Sequence, residues 1–254
     1  RPGMKPATRS SAKDFREQLL RVMDQKHHWA WPHFAGEAVT KAQLKIHFVQ
    51  EYGVYVRDFP VLLARVHGQN PPAPVRRMLA ENIFEEDTGG LSLGKSHPDL
   101  FLVMMRGLGL SEKDFEPSRL LPAATTYRRW LDRMTAHQDW AIGSAVMTIF
   151  VEGSVKDRQE ILHPSKLKTS EEIEDYVRHH PLVQHHRLSP DCMDLIRAHQ
   201  KVEAGHRHDA YAMVLDYVTE RRRRQAILTC LKTTLQLWLR YRDAVARACG
   251  LKKS

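Results

Sequence analysis

The stretch Ala198-His199-Gln200-Lys201-Val202-Glu203-Ala204-Gly205-His206 decides how the chain is read. Written as an α-helix, it puts His199, Glu203 and His206 at i, i+4 and i+7, on one face. Leu195, Ala210 and Met213 extend that face in both directions, and all three are apolar. A stripe that is apolar at both ends and carries two imidazoles and a carboxylate between them points into a core. Burying such groups bare costs several kcal/mol, so they need a partner, and a metal ion is the simplest one. With 15 His and 30 Asp plus Glu in 254 residues, the pattern His-x3-acid-x2-His arises by chance about 0.1 times. The motif therefore gains meaning only from partners elsewhere in the chain. The competing reading is a surface helix in a His-rich protein.

The formal charge is +9, and 42% of the residues are hydrophobic with 8% aromatic, a composition suited to a globular helical protein. The chain is long enough to bury a core without disulfide or metal staples. Cys192, Cys230 and Cys249 are odd in number and lack ligand spacing, which fits a reducing, cytoplasmic setting. No apolar run resembles a signal peptide or approaches the length of a membrane span. Arg1-Pro2-Gly3 ahead of Met4 reads as the remnant of a tag, and residues 1–10 as a disordered tail before one domain over 11–250. The positive excess gathers in that tail, in Arg221–Arg224 and near the C-terminus, without interleaved aromatics. A solvated helix end or linker accounts for it better than a nucleic-acid surface.

Helical periodicity recurs along the chain. Phe15, Leu19, Leu20, Val22 and Met23 mark a helix over 11–27, and a Trp/Pro/His-rich connector follows at 29–36. Thr40 caps a long helix through Leu44, Phe48, Tyr52, Tyr55 and Val56, kinked at Pro60 and continued to Gly68. Further helices are predicted over 75–87, ended by Gly89-Gly90, from His97 through Met105, over 118–136, and over 140–157 behind the cap Asp139. Residues 158–188 are less regular, with a short helix near 171–177. The motif helix then runs from Ser189 to Tyr217, and a last one follows Arg221–Arg224 to Gly250. No run of alternating β-branched residues reads as a strand. The expected fold is all-α, a single-domain bundle of about seven to eight helices.

Bundles of this kind build dinuclear metal sites from carboxylates and Glu-x-x-His pairs projecting inward, and Glu203-Ala204-Gly205-His206 is such a pair. Leu79, Ile83 and Glu86 lie at i, i+4 and i+7, which places Glu86 on an inward stripe with Glu85 about 100° round. Ala145, Ile149 and Glu152 repeat that arrangement. His97 sits one Gly-containing loop beyond Glu86. Individually, a Glu that ends an apolar stripe is usually a helix reaching solvent, and His97 could simply cap its helix. Together, three carboxylates and three imidazoles have the composition of a non-haem di-iron centre, an oxygen and nitrogen set suited to iron or manganese.

The order Glu-Asn-Ile-Phe-Glu-Glu-Asp-x-Gly-Gly at 81–90, His97-Pro-Asp-Leu-Phe, Glu152, and His199-x3-Glu203-x2-His206 resembles the haem-oxygenase-like di-iron oxidases, relatives of the thiaminase-like and quinone-synthase-like proteins. The resemblance runs from about Leu44 to about Tyr217, and the HxxxExxH element is its most specific part. It implies a haem-oxygenase-like fold, with Glu86, His97, Glu152, His199, Glu203 and His206 holding two iron ions that use O2 as co-substrate. Two departures stand out. The family more often has Asp at the place of Glu203, and the acidic pair leaves Glu85 or Glu86 as the ligand, Glu86 being preferred on its stripe.

Resemblance further implies an oxidase or oxygenase of specialised metabolism acting on a small carboxylic acid or amino acid, by N-oxygenation, oxidative decarboxylation, C–C cleavage or cyclisation. The expected partner is a small carboxylate-bearing molecule, with neither nucleic acid nor membrane, and assembly as a homodimer is compatible with it. Lys156 and Arg158 stand one to two turns beyond Glu152 and could meet that carboxylate, though exposed solvated residues are the simpler reading, and Tyr52 and Tyr55 could line the pocket, though as core aromatics they need no function. The role of the His179–His186 cluster stays open. One alternative is a metal-independent thiaminase-like or quinone-synthase-like enzyme on the same scaffold, the former needing a pocket cysteine. Another is a non-catalytic basic module binding nucleic acid or protein through Arg221–Arg224, which would leave the inward His and Glu residues unexplained.

Overall fold

The computed structural model describes residues 9–116 and 119–253, apart from the side chains of 9–11 and 203–206, and the described residues contain helices and no β-strand. In chain order, α1 (Arg9–Met23) and the single turn α2 (Trp31–Phe34) precede α3 (Lys41–Glu51), which runs through a π-helical segment, Tyr52–Val56, toward α4 (Phe59–His67). Next come α5 (Ala73–Thr88), α6 (His97–Gly107), α7 (Pro122–Ala136) and α8 (Trp140–Ser144), the last passing into a second π-helical segment, Ala145–Val151. The short helices α9 (Asp157–Leu162), α10 (Ser170–Arg178) and α11 (Pro181–His186) lead to the long pair α12 (Asp194–Leu215) and α13 (Arg221–Ala248). The long helices read from periodicity are all present. The additional pieces are single turns and short helices in the connectors.

Local chemistry accounts for the boundaries. Thr40 closes a capping box with Gln43 at the start of α3, and the Asp139 carboxylate accepts the Ala141 amide at the start of α8. The kink expected at Pro60 falls at Asp58, because the proline ring cannot follow a helical residue comfortably and leaves a carbonyl one turn back without a donor. Arg128 from α7 occupies that corner, its guanidinium 2.7 Å from Asp58 and 3.4 Å from the Gly53 and Val54 carbonyls.

The core is continuous. α13 contributes Ile227, Leu231, Leu235, Trp238 and Val245 and packs against α1, α3, α7 and the 145–151 segment. α12 packs against α6, α8, α9, α10 and that same segment. Each fully buried aliphatic or aromatic side chain of this kind contributes roughly 1.5–3 kcal/mol. Two arginines of the Arg221–Arg224 run belong to this packing. Arg223 pairs with Asp139, and Arg224 donates to the Val218 carbonyl and lies over Phe15.

The first helix ends at Met23 rather than His27, and the motif helix begins at Asp194 rather than Ser189, after a separate turn at Pro190–Cys192. Two further boundaries differ from the expectation. α1 starts at Arg9, so Arg9 and Ser10 are helical rather than part of a tail, and residues 1–8 lie outside the described residues. The helix expected over 140–157 stops at Val151, and Asp157 opens the separate helix α9. Ala-Val-Met-Thr-Ile-Phe over 145–150 is buried on every side and presents no polar face, so periodicity could not show where the helix widens and ends.

Candidate metal centre

The corner between α5 and α6 is built by a glycine. Gly89 ends α5 with φ +62°, and its amide donates to the Glu85 carbonyl. A Cβ there would fall 2.3 Å from the Lys95 carbonyl oxygen, so only glycine lets the loop fold back onto the helix end. Ser96 caps α6 by accepting the Asp99 amide, which sets His97 in the first turn beside the acidic pair.

Glu85 is 2% exposed. Burial pushes its carboxyl pKa up, but hydrogen bonds from the Ser92 hydroxyl, His97 and the Leu91 amide together outweigh this and hold it below the ordinary value. The bond from His97 Nε2, at 3.0 Å, orients the imidazole. Its Nδ1 then lies 3.0 Å from Glu86 Oε1 without the in-line geometry of a hydrogen bond, a buried nitrogen left without one. Burial lowers the His97 pKa, and Glu86 and Glu85 together raise it above the usual value. The His199 ring approaches edge-on, 4.9 Å between centroids. Glu86, His97 and His199 thereby bring one potential ligand atom each within 4.8 Å of one another. The stripe argument had Glu86 inward and Glu85 aside. In fact Glu85 is the deeper of the two, because the loop 89–96 covers its side of the helix, while Glu86 is the one that faces His97 Nδ1 and His199.

Glu152 lines the same cavity, of about 180 Å³, with Asn82, Glu85, Glu86, His97, His199, Val202 and Arg207. Asn82 donates to Glu152 Oε1 at 2.8 Å, and the Arg207 guanidinium is 4.0 Å from Oε2. Water reaches this carboxylate through the cavity, yet protein atoms surround it. That burial pushes its pKa up to about 7, against the pull of Asn82 and Arg207, with Glu86 and Asp157 pushing the same way as burial.

Of the six residues singled out from sequence, the structure brings Glu86, His97 and His199 together and puts Glu152 at their cavity. The side chains of Glu203 and His206 lie outside the described residues. A metal ion fits this set on the structure's own terms. Two imidazoles and a carboxylate converge, a buried His97 nitrogen lacks a hydrogen bond, and Glu85 holds the opposite nitrogen in the way carboxylates orient metal-binding histidines. The donors are oxygen and nitrogen, with no sulfur.

Other candidates lie elsewhere. Arg158 is tied to Glu17 and Asp24, and Tyr52 stacks on Phe101. Tyr55 lines a separate cavity with Trp31 and Trp238. None of the three cysteines lines the cavity that holds Glu86 and Glu152. In the His179–His186 cluster, His180 caps α11 and His179 sits against Asp175. Lys156 does line a neighbouring cavity. Sequence reading missed Asn82 and Arg207. Asn82 stands four residues before Glu86, on the same face, which is the one signal that pointed to it.

The all-α fold of the described residues, with its interior carboxylate–imidazole cluster, is that of a haem-oxygenase-like protein. The chain belongs to the family of iron-containing redox enzymes, which it matches over residues 46–239. It is 25% identical over 123 residues to the 4-aminobenzoate synthase of Chlamydia pneumoniae, an alignment covering 46% of this chain and 53% of that relative. In fold it is similar to a TenA homologue from Pseudomonas syringae pv. tomato, with a TM-score of 0.69 at 12% identity over 97% of this chain and 99% of that one. A CADD-like protein of unknown function from Nostoc punctiforme superposes with a TM-score of 0.66 at 14% identity, over 94% and 99% of the two chains.

Proposed function

We propose that this protein is an O2-dependent non-haem di-iron oxidase or oxygenase acting on a small carboxylate-bearing molecule. The observation that carries the reading is the convergence of Glu86, His97 and His199 at one cavity with Glu152. In this reading Glu86, His97, Glu152, His199, Glu203 and His206 hold the two irons, and bound iron supplies the redox chemistry that makes O2 reactive. The chain's own residues prepare the site. Glu85 keeps His97 Nδ1 turned to the centre, Asn82 orients the Glu152 carboxylate, and the buried setting strengthens every charge interaction made there.

Charge supports the choice of substrate. A cavity of about 360 Å³ shares Glu152 and Arg207 with the site and is lined by Lys156, Lys166 and Lys168. A second neighbouring cavity that shares Glu152 is only about 50 Å³ and carries Glu81 and Asp209. Arg207 is neutralised by Asp157, and Lys156, Lys166 and Lys168 outnumber Glu152 and Glu160 in the same lining, so the larger opening keeps a small positive excess suited to an anionic group. The Chlamydia pneumoniae relative is named for making 4-aminobenzoate, an amino-bearing aromatic carboxylate, so that its product belongs to this chemical class.

The test is anaerobic titration with Fe(II), then rapid mixing with O2, on the wild type, His199→Ala and Glu203→Ala. Two irons per chain and a transient visible absorption, both lost in the variants, are expected. No iron uptake and no O2 consumption with candidate carboxylates and amino acids present would overturn the reading in favour of a metal-free enzyme on this scaffold.

A further inference from the structure

The helix that carries Glu152 ends in an unusual way. A helix C-terminus leaves its last carbonyls without intrahelical donors, and here the π-helical segment ends among packed helices rather than in solvent. Two cations from distant parts of the chain take those carbonyls. Arg207, on α12, donates to the Thr148 carbonyl at 2.7 Å and the Ile149 carbonyl at 3.0 Å. Lys26, in the connector after α1, donates to Phe150 at 2.6 Å, Val151 at 3.1 Å and Gly153 at 2.6 Å. The carbonyls before and after Glu152 are thus held by one ammonium.

We propose that Lys26 is a positioning residue for Glu152, fixing the backbone on both sides of it so that its carboxylate faces Glu86 and His97. Lys26 acts at a distance. It lines a separate cavity of about 260 Å³, with Trp31, Tyr55 and Trp238, and does not line the one that holds Glu152. Burial pulls the Lys26 pKa down to about 7; in the charged form three N–H donors meet three carbonyls, the full capacity of an ammonium, and Lys26 also lies 4.9 Å from the centre of the Phe150 ring. Gly153 closes the clamp, since a Cβ there would stand 2.1 Å from the Ile149 carbonyl oxygen and 2.4 Å from the Arg207 guanidinium. Asp157 completes it by binding Arg207 through both carboxylate oxygens and accepting the Ser154 amide. A methionine at position 26 would fill the space and leave three carbonyls without donors.

This inference rests on Glu152 being a ligand of the proposed metal centre, and the experiment separates the two. Lys26→Met, Lys26→Arg, Glu152→Gln and the Lys26→Met/Glu152→Gln double variant are titrated anaerobically with Fe(II), and amide hydrogen exchange over residues 148–154 is followed in the metal-free proteins. Lys26→Met should exchange faster across 148–154 than elsewhere and bind iron about tenfold more weakly, the size of effect seen when supporting partners of metal ligands are lost. Lys26→Arg should recover part of both. The iron effect should vanish in the Glu152→Gln background, where the group being positioned is gone. Unchanged exchange over 148–154 in Lys26→Met overturns the proposal, as does an iron-affinity loss that persists in the double variant. If Lys26→Met fails to fold, Lys26→Gln, which cannot supply three donors, carries the same comparison, and wild-type affinity and exchange there would overturn it. A wild type that takes up no iron defeats the metal reading and with it the ligand role of Glu152, while the exchange comparison still decides whether Lys26 holds the segment.

Discussion

Two helix ends deliver acids to one cavity, and they are built on opposite principles. The end of α5 is local. Gly89 supplies the left-handed turn, Ser92 and Leu91 from the next few residues bind Glu85, and His97 follows within the same loop. The end at Glu152 is assembled from afar, its carbonyls taken by Lys26 and Arg207 and its carboxylate held by Asn82. The electrostatic outcomes differ in sign. Hydrogen bonds leave Glu85 readily ionised, whereas burial pushes Glu152 up to about 7. A group satisfied by neighbours in sequence is secure early and independently, while one held by distant cations depends on the whole bundle.

The largest break in this comparison is Asp157→Ala. Asp157 is 1% exposed and binds Arg207 and Tyr211, and stripping the partner from a buried charge costs about 3–5 kcal/mol. Chemical denaturation should register a loss of that size, with the tryptophan signal and metal uptake both affected. On the local side, Gly89→Ala should cost about 2 kcal/mol, combining a strained left-handed residue with the contact to Lys95. It should disturb His97 while leaving hydrogen exchange at 148–154 at wild-type rates. Ser92→Ala removes one of three hydrogen bonds to Glu85 and should cost about 1 kcal/mol, measured by thermal unfolding of the metal-free protein.

The sharpest effect is in pH. Because the folded Glu152 pKa lies above the unfolded one, the native metal-free protein binds the extra proton between pH 4.5 and about 7. Stability attributable to Glu152 therefore falls as pH rises through that window. Glu85, with its folded pKa depressed, contributes stability above pH 4.5 that is lost as pH falls. Glu152→Gln should flatten the loss between pH 5 and 7, and Glu85→Gln should soften the loss on the acid side. Equal pH profiles for the two variants would dissolve the distinction.

How far the site was legible follows the same division. The spacing of His199 within α12 and the stripe Leu79-Ile83-Glu86 are properties of a regular helix, so periodicity found them. The roles of Glu85 and Glu86 were harder, because the loop 89–96 changes which side of α5 is buried, and no helical wheel contains a loop. The end at Val151 was misjudged by about six residues, since a run buried on all sides has no amphipathic phase to lose. Arg158, a candidate for the substrate carboxylate whose simpler reading is a surface residue, pairs with Glu17 on α1 and Asp24 just after it.

By itself the sequence determined the all-α class, the helix caps at Thr40, Asp139 and Gly89, and the helical face on which His199 stands, because each depends on residues within a turn or two of one another. The tertiary structure alone decided that His97 Nδ1 turns to Glu86 rather than Glu85, that Asn82 meets Glu152, and that Lys26 and Arg207 seal the helix that carries it. Those contacts join residues up to 127 positions apart. Their partners are chosen by which helices pack together, and that follows from the shape of the whole core.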